Sequence, residues 1–407
     1  MNYLRPPSLV AAELEDYAAR YGHSVRAMDQ GVAATPSPEG LIDLTHGDTR
    51  AFVPPLSALA DFDEAARDNS EAYSPYRGSS TVRAALAPRA ASLLQRSVDP
   101  ATEIIVTPGT QGGLFSSLSA LVCPGDVVAF PSREYFMDER ICAYLGAHAH
   151  RIPLHQDDHG VITVDDYDLE AAARAGARGV VLSHPNNPTG GVYAPESLER
   201  LGAWVVDHDL WAVVDQLYCR LIFAGHEYVH LGALPGLAQR TVTLIGPSKT
   251  ESMSGYRVGA AVGPAHVIDS MEQVISLAAL RTGGYAQHTL RHWMHEDAQW
   301  LAERTAAHQA IRDNLVERLR GIPGMRVSTP AGSSYIFPDC SATPWAEARG
   351  DDDDFALAVA LKRAGVLVSP GYQFGLGGRG HFRINFSQDA ARLARACDAI
   401  TDVLGSP

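Results

Sequence analysis

The stretch Thr241–Pro264 reads TVTLIGPSKTESMSGYRVGAAVGP, and the rest of the chain is best read outward from it. A short apolar run (Val242, Leu244, Ile245) stops at Gly246-Pro247 and then presents Ser248-Lys249. Arg257 follows, and after it a second apolar run, Val258–Val262. A buried strand that ends in a turn and displays one lysine holds an amine in a cleft, where it can lose its proton and act as a nucleophile. A surface lysine after a strand is the plainer alternative that this stretch alone leaves open.

The same strand rhythm recurs upstream. Apolar runs at Glu103–Thr107, Val127–Phe130, His148–Pro153, Gly179–Ser183 and Leu210–Asp215 alternate with helical patterns at Gly113–Leu121, Met137–Leu145, Asp166–Ala175 and Pro195–His208. Alternation of this kind predicts an α/β fold with a largely parallel sheet sandwiched by helices. Val258–Val262 is expected as one more strand, antiparallel to the rest. Earlier, helices are expected at 9–21, Leu56–Asn69 and Thr81–Gln95, and a short strand at Leu41–Leu44.

Downstream of Pro264 the pattern turns helical to Leu319, with a break near Arg281-Thr282-Gly283-Gly284. Strands at Met325–Ser328, Ser334–Phe337, Val366–Ser369 and His381–Phe386, with helices at Asp354–Ala364 and at the C-terminus, then read as a smaller α+β unit. The expected division is an arm and strand over 1–48 that joins the small domain, a large domain over 49–299, and a small C-terminal domain over 300–407. The acidic run Asp351–Asp354 suits the positive end of a helix dipole.

Composition narrows the function classes. With 407 residues, 46% hydrophobic and 20% charged, the chain is an ordinary globular protein. Its formal net charge of -14 argues against nucleic-acid binding, which needs a basic face. The five cysteines show no C-x-x-C, a pattern of reduced cytosolic thiols and not of a disulfide frame or a metal site. The N-terminal residues lack the apolar centre of a signal peptide, and no run is long enough to span a membrane, so a cytoplasmic protein is expected.

In an open parallel sheet, ligands bind at the carboxyl ends of the strands, and here those ends carry polar groups. The first runs into Gly109-Thr110-Gln111 before a helix, a cup for a phosphate. The fourth runs into SHPNNPTGG with Asn187; the fifth ends on Asp215, with Tyr218 close behind; the sixth delivers Lys249, with Arg257 beyond. A phosphate cup, an amide, a carboxylate, a phenol, a lysine and an arginine in one cleft suit pyridoxal phosphate. The lysine would form a Schiff base and the carboxylate would keep the pyridine nitrogen protonated.

S-x-P-N-N-P-T-G, D-x-x-Y and S-K-x(7)-R, in this order, resemble the fold-type I pyridoxal-phosphate enzymes, and within them the class I/II aminotransferase family. The resemblance implies that Lys249 is the Schiff-base lysine and proton shuttle, that Asp215 meets the pyridine nitrogen, and that Asn187 and Tyr218 meet the phenolic oxygen. It places Gly109, Thr110, Gln111 and Arg257 on the phosphate and Tyr135 as the ring that stacks on the cofactor. It makes Tyr73 a contact to the neighbouring subunit's phosphate, hence a homodimer. Arg383 in FRINFS, aided by Gly47, would grip the substrate α-carboxylate. Gln216 departs from the family's usual glutamate, Gly246 from a phosphate-binding serine, and PSREYF from the usual phrasing around Tyr135.

The reaction implied is transfer of an amino group between an L-amino acid and a 2-oxo acid. A lyase or cyclase on the same scaffold is the alternative, and a cofactor-binding regulator is a remote one, because no helix-turn-helix precedes the resemblance. For the side-chain pocket, Arg281 offers either a cation for an acidic substrate or a structural ion pair. Tyr76, Tyr285 and Tyr372 offer an aromatic lining.

Overall fold

The computed structural model describes residues 6–14, 24–69, 71–295, 297–349 and 354–406. The first expected helix is described as Pro7–Ala11; residues 12–14 leave it in a turn, with Leu14 in the left-handed region, and residues 15–21 of the expected span lie outside the described residues, as do residues 351–353 of the acidic run.

Seven strands form the central sheet, in the order Ile104–Thr107, Gly259–Val262, Thr241–Ile245, Trp211–Asp215, Ala177–Ser183, Val127–Pro131, His148–Ile152. All run parallel except Gly259–Val262, which is antiparallel to both neighbours, as its position after the Lys249 turn led us to expect. The inner strands are continuous apolar runs because both faces are covered. Val213, Val242 and Leu244 pack on one side against Leu114, Leu118, Met271 and Ile275 of the helices Gly109–Leu121 and Ala265–Ala278. Ala212 and Val214 point the other way, onto Leu198, Leu201 and Trp204 of the helix Pro195–Asp207. Parallel strands bring Ser183 and Asp215 into register at one edge, where the loops that follow the parallel strands emerge.

The C-terminal part has its own core. Leu315, Leu319, Leu357, Leu361, Phe386 and Ile400 pack with Ile42 and Leu44 from the N-terminal segment. Ile42–Asp43 pairs in parallel with Val366–Leu367, which brings an early strand to the C-terminal part of the chain. The helix Ala298–Arg320 packs Leu315, Val316 and Leu319 into this core.

Two expectations fail here. Met325–Ser328 is not a strand; it makes only a bridge between Arg326 and Asp339. Gly324 turns the chain before it at φ +74°, and Pro330, without an N–H, closes it off soon after. The stretch Arg281–Gly284 breaks the helical pattern more widely than expected: helix ends at Ala278 and resumes at Ala298, with a short 3-10 turn at Ala286–Leu290 between.

Candidate active site

At the end of the Ile104–Thr107 strand the chain turns through Pro108 into the helix Gly109–Leu121, whose first turn has no side-chain cap. Its N–H groups are therefore left for an anion. Gly109 adopts φ +70°, and a Cβ there would sit 2.5 Å from Nη2 of Arg257, so the guanidinium lies flat over a residue that must be glycine. Arg257 itself is exposed, in the left-handed region, and donates to the Ser254 carbonyl at 3.1 Å. Gly246 now has a structural reason: a Cβ would come within 3.0 Å of Thr110 Cγ2, so a serine there would crowd the cup.

A cavity of about 210 Å³ opens beside this cup and is lined by Thr110, Gln111, Tyr135, Asn187, Asp215, Tyr218, Lys249, Arg257 and Arg383. Asp215 faces the cavity and receives the Leu217 N–H at 3.1 Å. Burial pushes its carboxyl up to about 6, against the Leu217 hydrogen bond and the Lys249 charge, which both lower it. The Tyr218 hydroxyl and the Ser248 hydroxyl are buried without a hydrogen-bond partner of ordinary geometry. Both residues line the cavity, so a ligand bound there can supply the partner. The Tyr135 hydroxyl donates to Gln111 Oε1 at 3.0 Å, which fixes the ring at the cavity wall.

Arg383, buried, enters from the C-terminal part. It donates to Asn187 Oδ1 at 2.7 Å, to the Thr45 carbonyl at 3.1 Å and to Ser369 Oγ at 3.1 Å, and it lies over the Tyr335 ring at 4.1 Å. With its carbonyl oxygen taken by Arg383, Asn187 keeps its amide N–H groups to donate. Tyr335 is a site residue that the sequence reading missed. Burial alone would raise its phenol, but the Arg383 and Lys249 cations outweigh burial and bring it down to about 7.

Gly47 lines a second, larger cavity of about 410 Å³ that shares Ser248, Lys249 and Ser254 with the first. Tyr73 lies apart, 82% exposed on the surface. Arg281 makes no structural ion pair among the described residues: it donates to the Ser74 carbonyl at 2.8 Å and stacks over Tyr73 and Tyr76. Tyr372 and Tyr285 also leave the site, their hydroxyls bound to Asp29 and Asn69. Gln216 turns away and bonds His230 Nδ1 at 2.6 Å.

The donor set fits pyridoxal phosphate: an anion cup, a carboxylate for a cationic ring nitrogen, an orphaned phenol and one lysine on a single cavity wall. Comparison with known proteins agrees. The family model for aminotransferase class I and II matches residues 39–400. An aromatic-amino-acid aminotransferase of Thermococcus litoralis is 27% identical over 90% of this chain and 92% of its own length. An arginine–pyruvate transaminase of Pseudomonas aeruginosa is 29% identical over 89% of each chain. The crystal structure of an aspartate aminotransferase from Rhodobacter sphaeroides superposes with a TM-score of 0.85 at 36% identity, covering 94% of this chain and 99% of that one. On these grounds the chain belongs to the class I and II aminotransferase family, and it is a transferase.

Proposed function

We propose that this chain is a pyridoxal-phosphate-dependent aminotransferase that moves an amino group between an L-amino acid and a 2-oxo acid. The observation that carries this reading is the convergence of Lys249, Asp215, Tyr218, Asn187, Arg257 and Arg383 on one cavity of about 210 Å³. When bound, pyridoxal phosphate supplies an aldehyde that condenses with amines and a protonated ring that stabilises negative charge at the substrate α-carbon.

The chain's own residues do the rest. Lys249 offers the amine and carries the proton to and from the reacting carbon. Asp215 keeps the ring nitrogen protonated, and Tyr218 and Asn187 donate toward the ring oxygen. Gly109, Thr110, Gln111 and Arg257 hold the phosphate, and Tyr135 stacks on the ring. Arg383, with the Gly47 backbone, grips the substrate α-carboxylate; a planar guanidinium can do this with two parallel hydrogen bonds. In this division residues 49–299 supply the cofactor cup, while 1–48 and 300–407 supply the carboxylate grip.

A homodimer is part of the reading. Tyr73, Leu56 and Leu59 are exposed on one segment, and Leu56 is 87% accessible. Large apolar side chains clustered in this way mark an interaction surface, from which Tyr73 would reach the partner's phosphate. Cys123, Cys142, Cys219 and Cys397, none of them in a disulfide, support a cytoplasmic setting.

The test is to incubate the purified protein with pyridoxal phosphate and a panel of L-amino acids, with and without a 2-oxo acid, and to identify products by mass. Amino transfer that requires the 2-oxo acid is expected. Ammonia release or a cyclised product without an acceptor would instead assign a lyase or cyclase. The bound cofactor should colour the wild type yellow, and Lys249→Ala should lose that absorbance; a colourless wild type would remove the cofactor assignment.

A further inference from the structure

Behind the strand ends that carry Asn187 and Asp215 lie two carboxyl groups that the roles above do not use. Glu134 is 6% exposed and Asp138 1%. Glu134 precedes the helix Phe136–Tyr144, and Asp138 sits in its first turn.

Glu134 accepts the Ser183 N–H at 3.0 Å and the Tyr135 N–H at 2.8 Å, and it makes a short hydrogen bond with the Ser183 hydroxyl. Ser183 Oγ in turn accepts the Asn187 N–H at 2.9 Å, and Ser183 pairs in register with Asp215. One carboxyl thus ties together the strand end, the Asn187 turn and the Tyr135 wall. Asp138 is a different case, because neither of its oxygens has a hydrogen-bond donor. An ionised carboxylate buried without a partner is so costly that the group takes up a proton instead.

The surrounding charges do not relieve this. On and beside their own helix the two acids face Tyr135 and Cys142; from the neighbouring strands they face Asp215 and Tyr193. The cations around this segment are engaged elsewhere: Arg133 with the Gly377 carbonyl, Arg151 with Glu139, Arg140 with the Ala12 carbonyl, and Lys249 beside Asp215. Among the described residues, no cation pairs with either acid.

We propose that Glu134 is a positioning residue that holds Ser183 and, through it, Asn187 in place beside Asp215, and that Glu134 and Asp138 together form a buried acid pair that carries protons at neutral pH. Losing these protons sets an alkaline limit on the site. The inference stands on buried geometry and not on the cofactor assignment.

Burial raises Glu134 to about 8, opposed by the Ser183 and Tyr135 hydrogen bonds, while burial together with the Glu134 and Asp215 charges raises Asp138 well above its usual range. The unfolded chain releases these protons near pH ~4. The stability that they contribute is therefore complete at low pH and is lost as pH rises toward about 8.

Two measurements test the pair. Urea unfolding of the full cofactor-free chain, from about pH 5.5 to about pH 9, should show an unfolding constant that rises with pH by up to about tenfold per unit for each group. Glu134→Gln and Asp138→Asn should each remove their share of that slope. Titration with pyridoxal phosphate at about pH 6.5 should find Glu134→Gln within about threefold of wild type and Glu134→Ala weaker by more than about tenfold, since the amide oxygen still accepts one of the two N–H groups and its nitrogen can donate to the Ser183 hydroxyl, whereas the methyl keeps neither. Wild-type slopes in both neutral variants would overturn the proposal. So would a Gln variant as weak as the Ala variant, because an ionised Glu134 cannot be replaced by a neutral isostere. If the wild type binds no pyridoxal phosphate, the proposed function falls, while the urea slopes still decide this inference.

Discussion

In the proposed function, Asp215 trades stability for a charge that the cofactor would meet. Its carboxyl is raised to about 6, so the stability tied to its proton is lost as pH rises through that value. Above it the carboxylate is available to a cationic ring nitrogen. Cofactor affinity should then fall by up to about tenfold per pH unit below about 6, and Asp215→Asn should be weaker and nearly flat with pH. Absorbance titrations from about pH 5 to about pH 8 read this directly, and an unchanged profile in the variant would assign the titration to another group. Arg383 makes a different demand: its two terminal nitrogens serve three acceptors at once. Arg383→Lys keeps the charge but not the fork, so KM for the amino acid should rise about thirtyfold, roughly 2 kcal/mol, with cofactor affinity within about twofold. Equal loss of both would move the carboxylate grip elsewhere. Asp215, Asn187, Lys249 and Arg257 were readable because each follows an apolar strand at a fixed interval. Tyr335 and Ser369 were not, since they reach Arg383 by packing across long separations. Glu134 and Asp138 were hidden for another reason: in a sequence, a buried acid looks the same as a solvated one.

Strands set the site by bringing their ends into line. Where both faces are covered, the apolar runs were long enough to be recognised, and Trp211–Asp215 and Thr241–Ile245 fall where the periodicity puts them. Short strands in the C-terminal part depend on tertiary pairing, so Met325–Ser328 carries the composition of a strand without a partner along its length. Gly179 shows how tightly the sheet is built. A Cβ there would lie 2.1 Å from the Trp211 ring on the adjacent strand. Gly179→Ala must push that ring aside, next to the strand that ends on Asp215, and should cost about 2 kcal/mol in urea unfolding. The Asp215 end lies four register steps away, so cofactor affinity should change much less than stability.

At the scale of the whole molecule, the proposed shared site turns on two groups that a single chain leaves exposed. Arg257 is exposed at the mouth of the phosphate cup, and Tyr73 stands 82% exposed under the Arg281 guanidinium. Two-fold pairing, in which each chain lends Tyr73 to the other's cup, would cover both and make each site a product of two subunits. Subunit mixing tests this. Tyr73→Phe alone should weaken cofactor binding at both sites, and Lys249→Ala alone should abolish the visible absorbance. In a mixed dimer, the Lys249→Ala chain still lends its Tyr73 to a partner whose own Lys249 is intact. An equal mixture, unfolded and refolded together, should therefore regain about a quarter of the wild-type sites, because half of the dimers are mixed and each has one complete site. Tight binding that never reappears on mixing would show that Tyr73 serves its own chain or none. Sedimentation of a Leu56→Asp variant then separates the two: a monomer with weak cofactor binding keeps the shared site, and a monomer with wild-type affinity removes it.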